Sequence, residues 1–455
     1  MELINTIARE IASRGGRLLV VGGFVRDQIL GVPSKDYDCE IYGLDLEGLE
    51  VALGVFGEVQ TVGRAFGVLR IKGLDIDFSL PRKDSKTGAG HRGFSVEVDP
   101  SLTFEQAALR RDLSVNSMGW DPLTDDYLDP HGGREDLRKG LLRATSPQHF
   151  PEDPLRGLRV AQFAARLTMQ PDPGLVQLCQ QLDLSELPAE RLYQEFHKLL
   201  LKGVKPSMGL EFLRISGQLR FFPELEALEG VPQDPRWHPE GDVWVHTLLS
   251  VDAACDLRTG VPFEDEVLMF GVLCHDLGKP AATENVDGRI RSHRHQQAGL
   301  APTNAFLSRL RASGDLVKAV EAAVLHHLAP SQFVADGAKA PAYRRLASRL
   351  SDAGISMTLL ERVARADHLG RTTDDAKAQA YPAGDHFLAM AGQLAIAHEA
   401  TSDVVQGRHL IAAGCSPGPE FGAILAQCRE IQDETGATEP EAILQQALDA
   451  MSKKA

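Results

Sequence analysis

The feature that most constrains this chain is a change of periodicity at Pro151. Before about residue 140, short apolar or alternating runs mix with helical stretches. Leu18-Leu19-Val20-Val21 reads as a strand ending in Gly22-Gly23, and residues 24–30 read as the start of a helix. Residues 37–42 and 69–80 read as further strands. In the second, Ile76, Phe78 and Leu80 alternate with Asp75, Asp77 and Ser79. Residues 82–93 are polar with three glycines and no period, which reads as a mobile loop. After Pro151 the spacing of Leu155, Leu158, Val160, Ala161, Phe163, Ala164 and Leu167 is helical, and strand patterns almost vanish. The expected fold class is α+β: a mixed sheet with helices first, all-α thereafter.

The 455 residues exceed what one hydrophobic core organises, so two to four domains are expected. Proline-rich punctuation at residues 231–239 reads as a junction, and the stretch after about 384 as a helical tail. The expected boundaries are 1–140, 141–230, 231–384 and 385–455. The net charge of −15 argues against a protein that coats nucleic acid non-specifically, because neutralising phosphates needs Lys and Arg. Basic residues outnumber acidic ones only locally, between residues 134 and 166, which on charge alone reads as a solvated face. No apolar run is long enough to span a bilayer, and residues 1–16 have an amphipathic pattern unlike a signal peptide. The six cysteines form no CxxC pair, so neither a zinc knuckle nor a disulfide framework is expected, and the expected setting is the reducing cytoplasm.

Two constellations carry chemistry. In the first, the Gly22-Gly23 turn lets a phosphate approach the backbone, the following helix start offers free N–H groups, and Arg26 adds a positive fork. Asp36 and Asp38 follow in Lys35-Asp36-Tyr37-Asp38. On a strand they point the same way, and neighbouring carboxylates repel unless a cation lies between them. That is what two-metal nucleotidyl transfer requires. Taken alone, such a pair more often marks a solvent-facing loop. A Gly-Gly turn, a DxD and a later acidic strand together have the layout of polymerase-β-like nucleotidyltransferases. Asp77 is the candidate third carboxylate, with Asp75 as the fallback.

The ordered runs Gly22-Gly23-Phe24-Val25-Arg26-Asp27, Asp36-Tyr37-Asp38, Arg110 to Asn116, Asp129-Pro130-His131-Gly132-Gly133 and Glu152-Asp153-Pro154-Leu155-Arg156 resemble the motifs of class II tRNA nucleotidyltransferases, the CCA-adding enzymes, and of bacterial poly(A) polymerases. The resemblance implies that Asp36 and Asp38 bind Mg²⁺ and that Gly22, Gly23 and Arg26 hold the triphosphate. It further implies that Arg111, Asp112 and Asn116 contact ribose and phosphates, and that Asp153, Arg156 and Arg159 complete the nucleotide site. Singly, Arg111 and Asp112 read equally well as a surface ion pair. Asp153 and Arg156, placed at i, i+3 on one helix face, offer an acceptor beside a donor. Cytosine and adenine both present an amine beside an unprotonated ring nitrogen; uracil and guanine present the reverse. One such pair therefore selects C and A without a template. The bland alternative is an i, i+3 salt bridge.

The second constellation is His246, His275-Asp276, His293-Arg294-His295, His326-His327 and Asp367. Imidazole and carboxylate are ligands for divalent transition metals. The adjacent His-Asp after an apolar run resembles the HD phosphohydrolase superfamily, which implies His246, His275, Asp276, His295 and Asp367 as ligands of a transition metal such as Ni²⁺. His326 and His327 are equally eligible to join them. With Trp237-His238-Pro239-Glu240 and Tyr381-Pro382-Ala383-Gly384, the resemblance narrows to the multifunctional HD-bearing bacterial CCA enzymes and reaches about residue 385. It implies a head at 1–140, a neck and body at 141–230, an HD domain at 231–384 and a tail at 385–455. Its expected partners are tRNA, ATP and CTP, with no membrane, in a monomer or weak dimer. The implied activities are CCA addition and, in the HD domain, phosphatase, 2′-nucleotidase and 2′,3′-cyclic phosphodiesterase activity. The alternatives are a poly(A) polymerase, disfavoured by the acidic composition and a C-terminus with only Lys453-Lys454, and a CC-only enzyme, disfavoured by the intact segment 82–93. An A-adding specialist, a non-catalytic tRNA-binding adaptor and a stand-alone HD hydrolase complete them.

Overall fold

The computed structural model describes residues 2–34, 37–61, 68–86 and 94–452. Asp36, the stretch 87–93 of the polar segment and Lys453-Lys454 lie outside the described residues. The chain divides into two compact units, Met1–Phe221 and Phe222–Ala455.

The first unit is built on a mixed sheet. Its strands are β1 (Arg17–Val21), β2 (Tyr37–Tyr42), β3 (Val59–Thr61), β4 (Val68–Ile71) and β5 (Ile76–Ser79). A separate pair, β6 (Arg82–Lys86) and β7 (Phe94–Val98), precedes β8 (Gly119–Asp121) and β9 (Asp126–Leu128). The spatial order of the seven-stranded sheet is β3-β4-β5-β2-β1-β8-β9. Its β2–β5 pair is parallel and its other pairs antiparallel. Because side chains alternate across a strand, one face carries Leu18, Val20, Cys39, Ile41, Leu69, Ile71, Ile76 and Phe78. These pack with Ile4, Ile7 and Ile11 of the helix Glu2–Ser13 and Leu49 and Leu53 of the helix Leu46–Gly54. The opposite face is covered only in part: Leu19, Val21 and Tyr42 meet Leu102, Phe104, Ala107 and Ala108. Asp38, Glu40 and Asp77 stand on this second face.

Two readings of the sequence need correction. Residues 69–80 are not one strand but β4 and β5, joined by a turn in which Gly73 has φ +85°. The start of the polar segment 82–93 is not loop: Arg82–Lys86 pairs antiparallel with Phe94–Val98. Its partner, not its own composition, makes it a strand.

Beyond Pro151 the helix Arg156–Leu167 lies against the helices Ala189–Lys202 and Pro206–Ile215. It buries nine of its residues, Arg156 among them. Gly209 sets the closeness of one crossing, since a Cβ there would fall within 3.1 Å of the Ala161 carbonyl group.

Among its described residues the second unit has helices and one hairpin, Thr283–Val286 with Arg289–Ser292. The helix Pro262–Cys274 is buried over most of its length, in contact with Val243–Cys255, Gly314–His326 and Met357–Leu369. The helices Gly407–Ala412, Glu420–Thr435 and Pro440–Ser452 share a smaller core of Leu410, Ile424, Cys428, Ile443 and Leu444. No helix among the described residues is long and apolar enough to cross a membrane.

Candidate functional sites

In the first unit the sheet register aligns the acidic side chains. Asp38 of β2 is the partner of Asp77 in the parallel β5, of Val21 in β1, and Asp77 is the partner of Arg70 in β4. Asp38 and Asp77 thus share one face, immediately beside the Gly22-Gly23 turn that ends β1. Asp75, the fallback, precedes the strand. Arg70 donates from Nη2 to Asp77 Oδ2 at 3.0 Å. Gly22 has φ +75° and ψ −134°, a conformation that favours glycine. A Cβ there would stand 3.1 Å from Arg111 Nη1 and 3.6 Å from Asp38 Oδ2. Turn, guanidinium and carboxylate therefore converge.

Arg111 is held there by a residue that the sequence reading missed. Glu40, two positions after Asp38 and on the same face, is fully buried. It lies 2.8 Å from Arg110 Nη2 and 3.6 Å from Arg111 Nη2, and accepts from Tyr42 Oη at 2.8 Å. Burial pushes its carboxyl pKa up, but Arg111 and Arg110 outweigh that and hold it below the ordinary value. Extending the two-residue rule from Asp36 and Asp38 by one step would have found it.

Arg26, Asn116, Asp112 and Arg159 form one hydrogen-bonded chain. Arg26 Nη1 donates to Asn116 Oδ1 at 2.6 Å, Asn116 Nδ2 to Asp112 Oδ1 at 3.0 Å, and Arg159 Nε to Asp112 Oδ2 at 2.7 Å. Burial raises the Asp112 pKa, but Arg159 and these bonds outweigh it, so the net shift is downward. Arg111 and Asp112 are thus not each other's ion pair. The ring of Phe163 lies under three guanidiniums, those of Arg26, Arg159 and Arg166, at 5.2, 5.4 and 5.7 Å.

Asp153 and Arg156 differ from their expected geometry. The helix begins at Arg156, and Asp153 sits before it in extended conformation, so the two do not share a helix face. Asp153 Oδ1 accepts from Leu155 N at 3.0 Å and Oδ2 from Arg191 Nη2 at 3.0 Å. Arg156 donates from Nη1 to the His149 carbonyl and from Nη2 to the Arg110 carbonyl, both at 2.5 Å. Asp153 ends a 3-10 turn and caps the chain, which removes it from the i, i+3 relation.

In the second unit His246, His275, Asp276, His295 and Asp367 converge, as does His327. His246 Nε2 lies 3.1 Å from Asp367 Oδ1 and 3.3 Å from His275 Nε2. His275 Nε2 lies 3.2 Å from Asp276 Oδ2, and His295 Nε2 lies 3.4 Å from Asp276 Oδ1. His327 Nε2 lies 3.2 Å from His295 Nε2, whereas His326 faces Arg345 and Arg349 in a separate pocket. The other ring nitrogens are committed: Nδ1 of His275, His295 and His327 to the carbonyls of Val272, Ser292 and Val324, and Nδ1 of His246 to Glu240. If each Nδ1 carries the proton, every Nε2 presents a lone pair inward.

Burial pushes His327 down to about 3 and lowers His295, which keeps both rings neutral. Burial alone would raise Asp276 and Asp367, but His275 beside the first and Arg371 beside the second bring both well below the ordinary value. Both Asp276 oxygens lack a hydrogen-bond partner, although Lys279 Nζ lies 2.7 Å from Oδ2. Burial lowers the His275 pKa but Asp276 and Asp367 outweigh it and raise it; a divalent cation would replace that proton, and four imidazoles with two ionised carboxylates aimed at one another suit one. The ligand atoms fall into two sets that share Asp276: one with His246 and His275, the other with His295 and His327. A cavity of about 240 Å³ is lined by Asp276, His295, His327 and Asp367 of this cluster, and also by Gln233, Trp237, Lys279 and Arg371.

Residues 18–143 match the family of the poly(A) polymerase head domain. A multifunctional CCA protein of Haemophilus influenzae is 36% identical over 304 residues, which is 65% of this chain and 71% of that protein. One of Neisseria meningitidis is 37% identical over 314 residues, 68% of this chain and 72% of that protein. Among solved structures, the Bacillus stearothermophilus CCA-adding enzyme in complex with CTP has a TM-score of 0.68 at 21% identity, covering 99% of this chain and 98% of its own. The Thermotoga maritima CCA-adding enzyme complexed with tRNA has 0.59 at 18%, covering 99% and 95%. At that level of identity the likeness is one of fold.

Proposed function

The chain belongs to the family of class II CCA-adding enzymes, and from that premise we propose that it adds CCA to the 3′ end of tRNA from CTP and ATP without a nucleic-acid template. The observation that carries the reading is the register of Asp38 with Asp77 beside the Gly22 turn. Asp36 and Asp38 would hold Mg²⁺, with Asp77 as the third acid; the ion would lower the pKa of the attacking hydroxyl and neutralise the triphosphate. Gly22, Gly23 and Arg26 would cradle the triphosphate, and Arg111 would stand beside them, oriented by Glu40. Asp112 and Asn116 would meet the ribose, and Arg159 would hold Asp112 in place.

Base selection would fall to Asp153 and Arg156 as one acceptor and one donor. Two of the five Arg156 N–H donors are given to carbonyls, which fixes the guanidinium plane and leaves the others for a base edge. Arg191 would orient Asp153. The stretch 1–140 would then be the catalytic head and 141–230 the neck and body that select the base and bind tRNA. Asp38→Asn is expected to abolish CTP and ATP incorporation with tRNA affinity nearly intact. Incorporation near the parent rate would sink the metal assignment.

The second unit would be a metal-dependent hydrolase of RNA phosphate ends, as 2′,3′-cyclic phosphodiesterase, 2′-nucleotidase and phosphatase. His246, His275, Asp276, His295, His327 and Asp367 would hold a divalent transition metal such as Ni²⁺, which when bound supplies a water of lowered pKa. Lys279 and Arg371, beside Asp276 and Asp367, would bind the phosphate anion. Asp276→Ala should lose metal binding and hydrolysis of 2′,3′-cyclic phosphate while CCA addition survives. Hydrolysis at the parent rate would place the activity elsewhere.

A further inference from the structure

The lining of the cavity over the His/Asp cluster includes one large aromatic side chain to which neither the metal nor the phosphate gives a role, Trp237. Trp237 is 57% exposed, the most exposed of the large apolar residues in the second unit. Exposing an indole costs free energy unless something covers it. Its backbone is fixed at both ends of the short segment that carries it. On one side Gln233 donates from Nε2 to the carbonyls of Gly241 and Asp242, and accepts from Lys279 Nζ at 2.6 Å. On the other, Glu240 receives both His246 and His238 at 2.8 and 2.9 Å. Asp234 closes the turn between them, its carbonyl accepting from Trp237 N at 3.0 Å and its Oδ1 from Arg236 N at 3.0 Å. The segment that carries Trp237 is thus tied through Gln233 to Lys279 and through Glu240 to His246 of the cluster, and the Arg236 guanidinium stands 5.7 Å over the indole ring.

Size decides what fits. At about 240 Å³ the cavity is below the roughly 300 Å³ at which pockets begin to enclose drug-sized ligands. A cavity of that size has room for a phosphate and its sugar, which leaves an attached base toward the exposed rim. Ile290 and Ser292 of the hairpin also line the cavity, and the same strand exposes Arg289 and Arg291, neither in an ion pair among the described residues.

We propose that Trp237 is the stacking platform for the terminal nucleobase of the RNA end whose phosphate meets the His/Asp cluster. The inference rests on the hydrolase reading and adds its substrate class: a nucleotide terminus recognised by its base face, with no sequence preference, because every base offers a π-face.

The test compares the full-length protein with Trp237→Leu and Trp237→Phe in the presence of Ni²⁺ or Mn²⁺. The substrates are adenosine and cytidine 2′,3′-cyclic phosphates, a short RNA ending in a 2′,3′-cyclic phosphate, and 1-O-methylribose 2,3-cyclic phosphate, which has no base. Trp237→Leu should raise KM roughly ten- to hundredfold for all the substrates that carry a base. It should leave kcat and the base-free ester unchanged, and Trp237→Phe should recover most of the loss. The RNA and the mononucleotides separate a chain end from a free nucleotide: a KM effect on the RNA is required. An equal KM in Trp237→Leu, or an equal effect on the base-free ester, would overturn the platform. Fluorescence gives a readout independent of turnover: adenosine 2′-monophosphate should quench the parent protein and not Trp237→Phe. If the parent hydrolyses none of the esters, the hydrolase reading fails, and quenching still decides the platform: quench lost in Trp237→Phe upholds it, and no such quench overturns it.

Discussion

Gly278→Ala tests how the two ligand sets of the His/Asp cluster are held together. Gly278 follows His275-Asp276-Leu277 and has φ −87° and ψ −12°, so alanine meets no backbone strain there. The obstacle is contact. A Cβ would press on the His295 carbonyl oxygen and the Gly299 nitrogen and lie 2.9 Å from the Ala298 carbonyl carbon. All three are backbone atoms, so no rotamer change relieves the clash. The segment His295–Ala298 must retreat by about 1 Å, at a cost of about 1–3 kcal/mol for overpacking. That retreat carries His295 Nε2 away from Asp276 Oδ1, now 3.4 Å apart. Metal–ligand distances tolerate only about 0.2 Å, so the set formed by Asp276, His295 and His327 should lose affinity about 10- to 100-fold. Urea denaturation reads the first quantity and titration calorimetry with Mn²⁺ or Ni²⁺ the second. CTP incorporation should persist, because Gly278 and Asp38 belong to different compact units. Unchanged metal affinity with unchanged stability would refute the claim that this contact fixes the spacing of the ligands.

Three further substitutions probe the first unit. Gly22→Ala forces a non-glycine residue to φ +75° beside Arg111, with about 1–3 kcal/mol of strain; nucleotide affinity should fall with stability, and an unaltered Kd for CTP would count against a turn built for close approach. Glu40→Gln leaves Arg110 and Arg111 without their buried counter-charge, so chemical denaturation at pH 7 should show a loss of about 3 kcal/mol. Because the folded Glu40 pKa is depressed, its contribution is complete above the ordinary value of 4.5 and fades as pH falls through the folded value, so the gap between parent and variant should narrow in acid and not in base. Arg156→Ala should relax exclusion of UTP and GTP by about 1–3 kcal/mol in competition assays, and undiminished selectivity would make Arg156 a purely structural tie between the His149 and Arg110 carbonyls.

The sequence was most informative where punctuation and period agree. Gly22-Gly23 ends an apolar run and starts a helix, so both elements beside the acidic row are legible to within a residue or two. The turn at Lys72-Gly73 was legible in the phase: Leu69 and Ile71 alternate on odd positions and Ile76, Phe78 and Leu80 on even ones, and reading 69–80 as one strand overlooks that shift. Arg82–Lys86 was hidden because a polar strand is defined by its partner, here Phe94–Val98. Among site residues, Glu40 follows from the phase of Asp38, but only the fold shows that Arg110 and Arg111 meet it from seventy residues away. His326 and His327 differ by about 100° around a helix. No local pattern distinguishes them, and the packing of the helix Gly314–His326 against Pro262–Cys274 turns His327 inward. Asp153 looked helical because Glu152-Asp153-Pro154-Leu155-Arg156 runs straight into a helix; Pro154 and the preceding 3-10 turn keep it outside.

The most direct test of the central claim uses the purified protein with Mg²⁺, labelled CTP or ATP, and three forms of one tRNA, lacking its last one, two or three nucleotides. The account expects A on the first, CA on the second and CCA on the third, with addition stopping at that length. Addition of A alone on every form, a growing A tail, or no incorporation on any of them would contradict it.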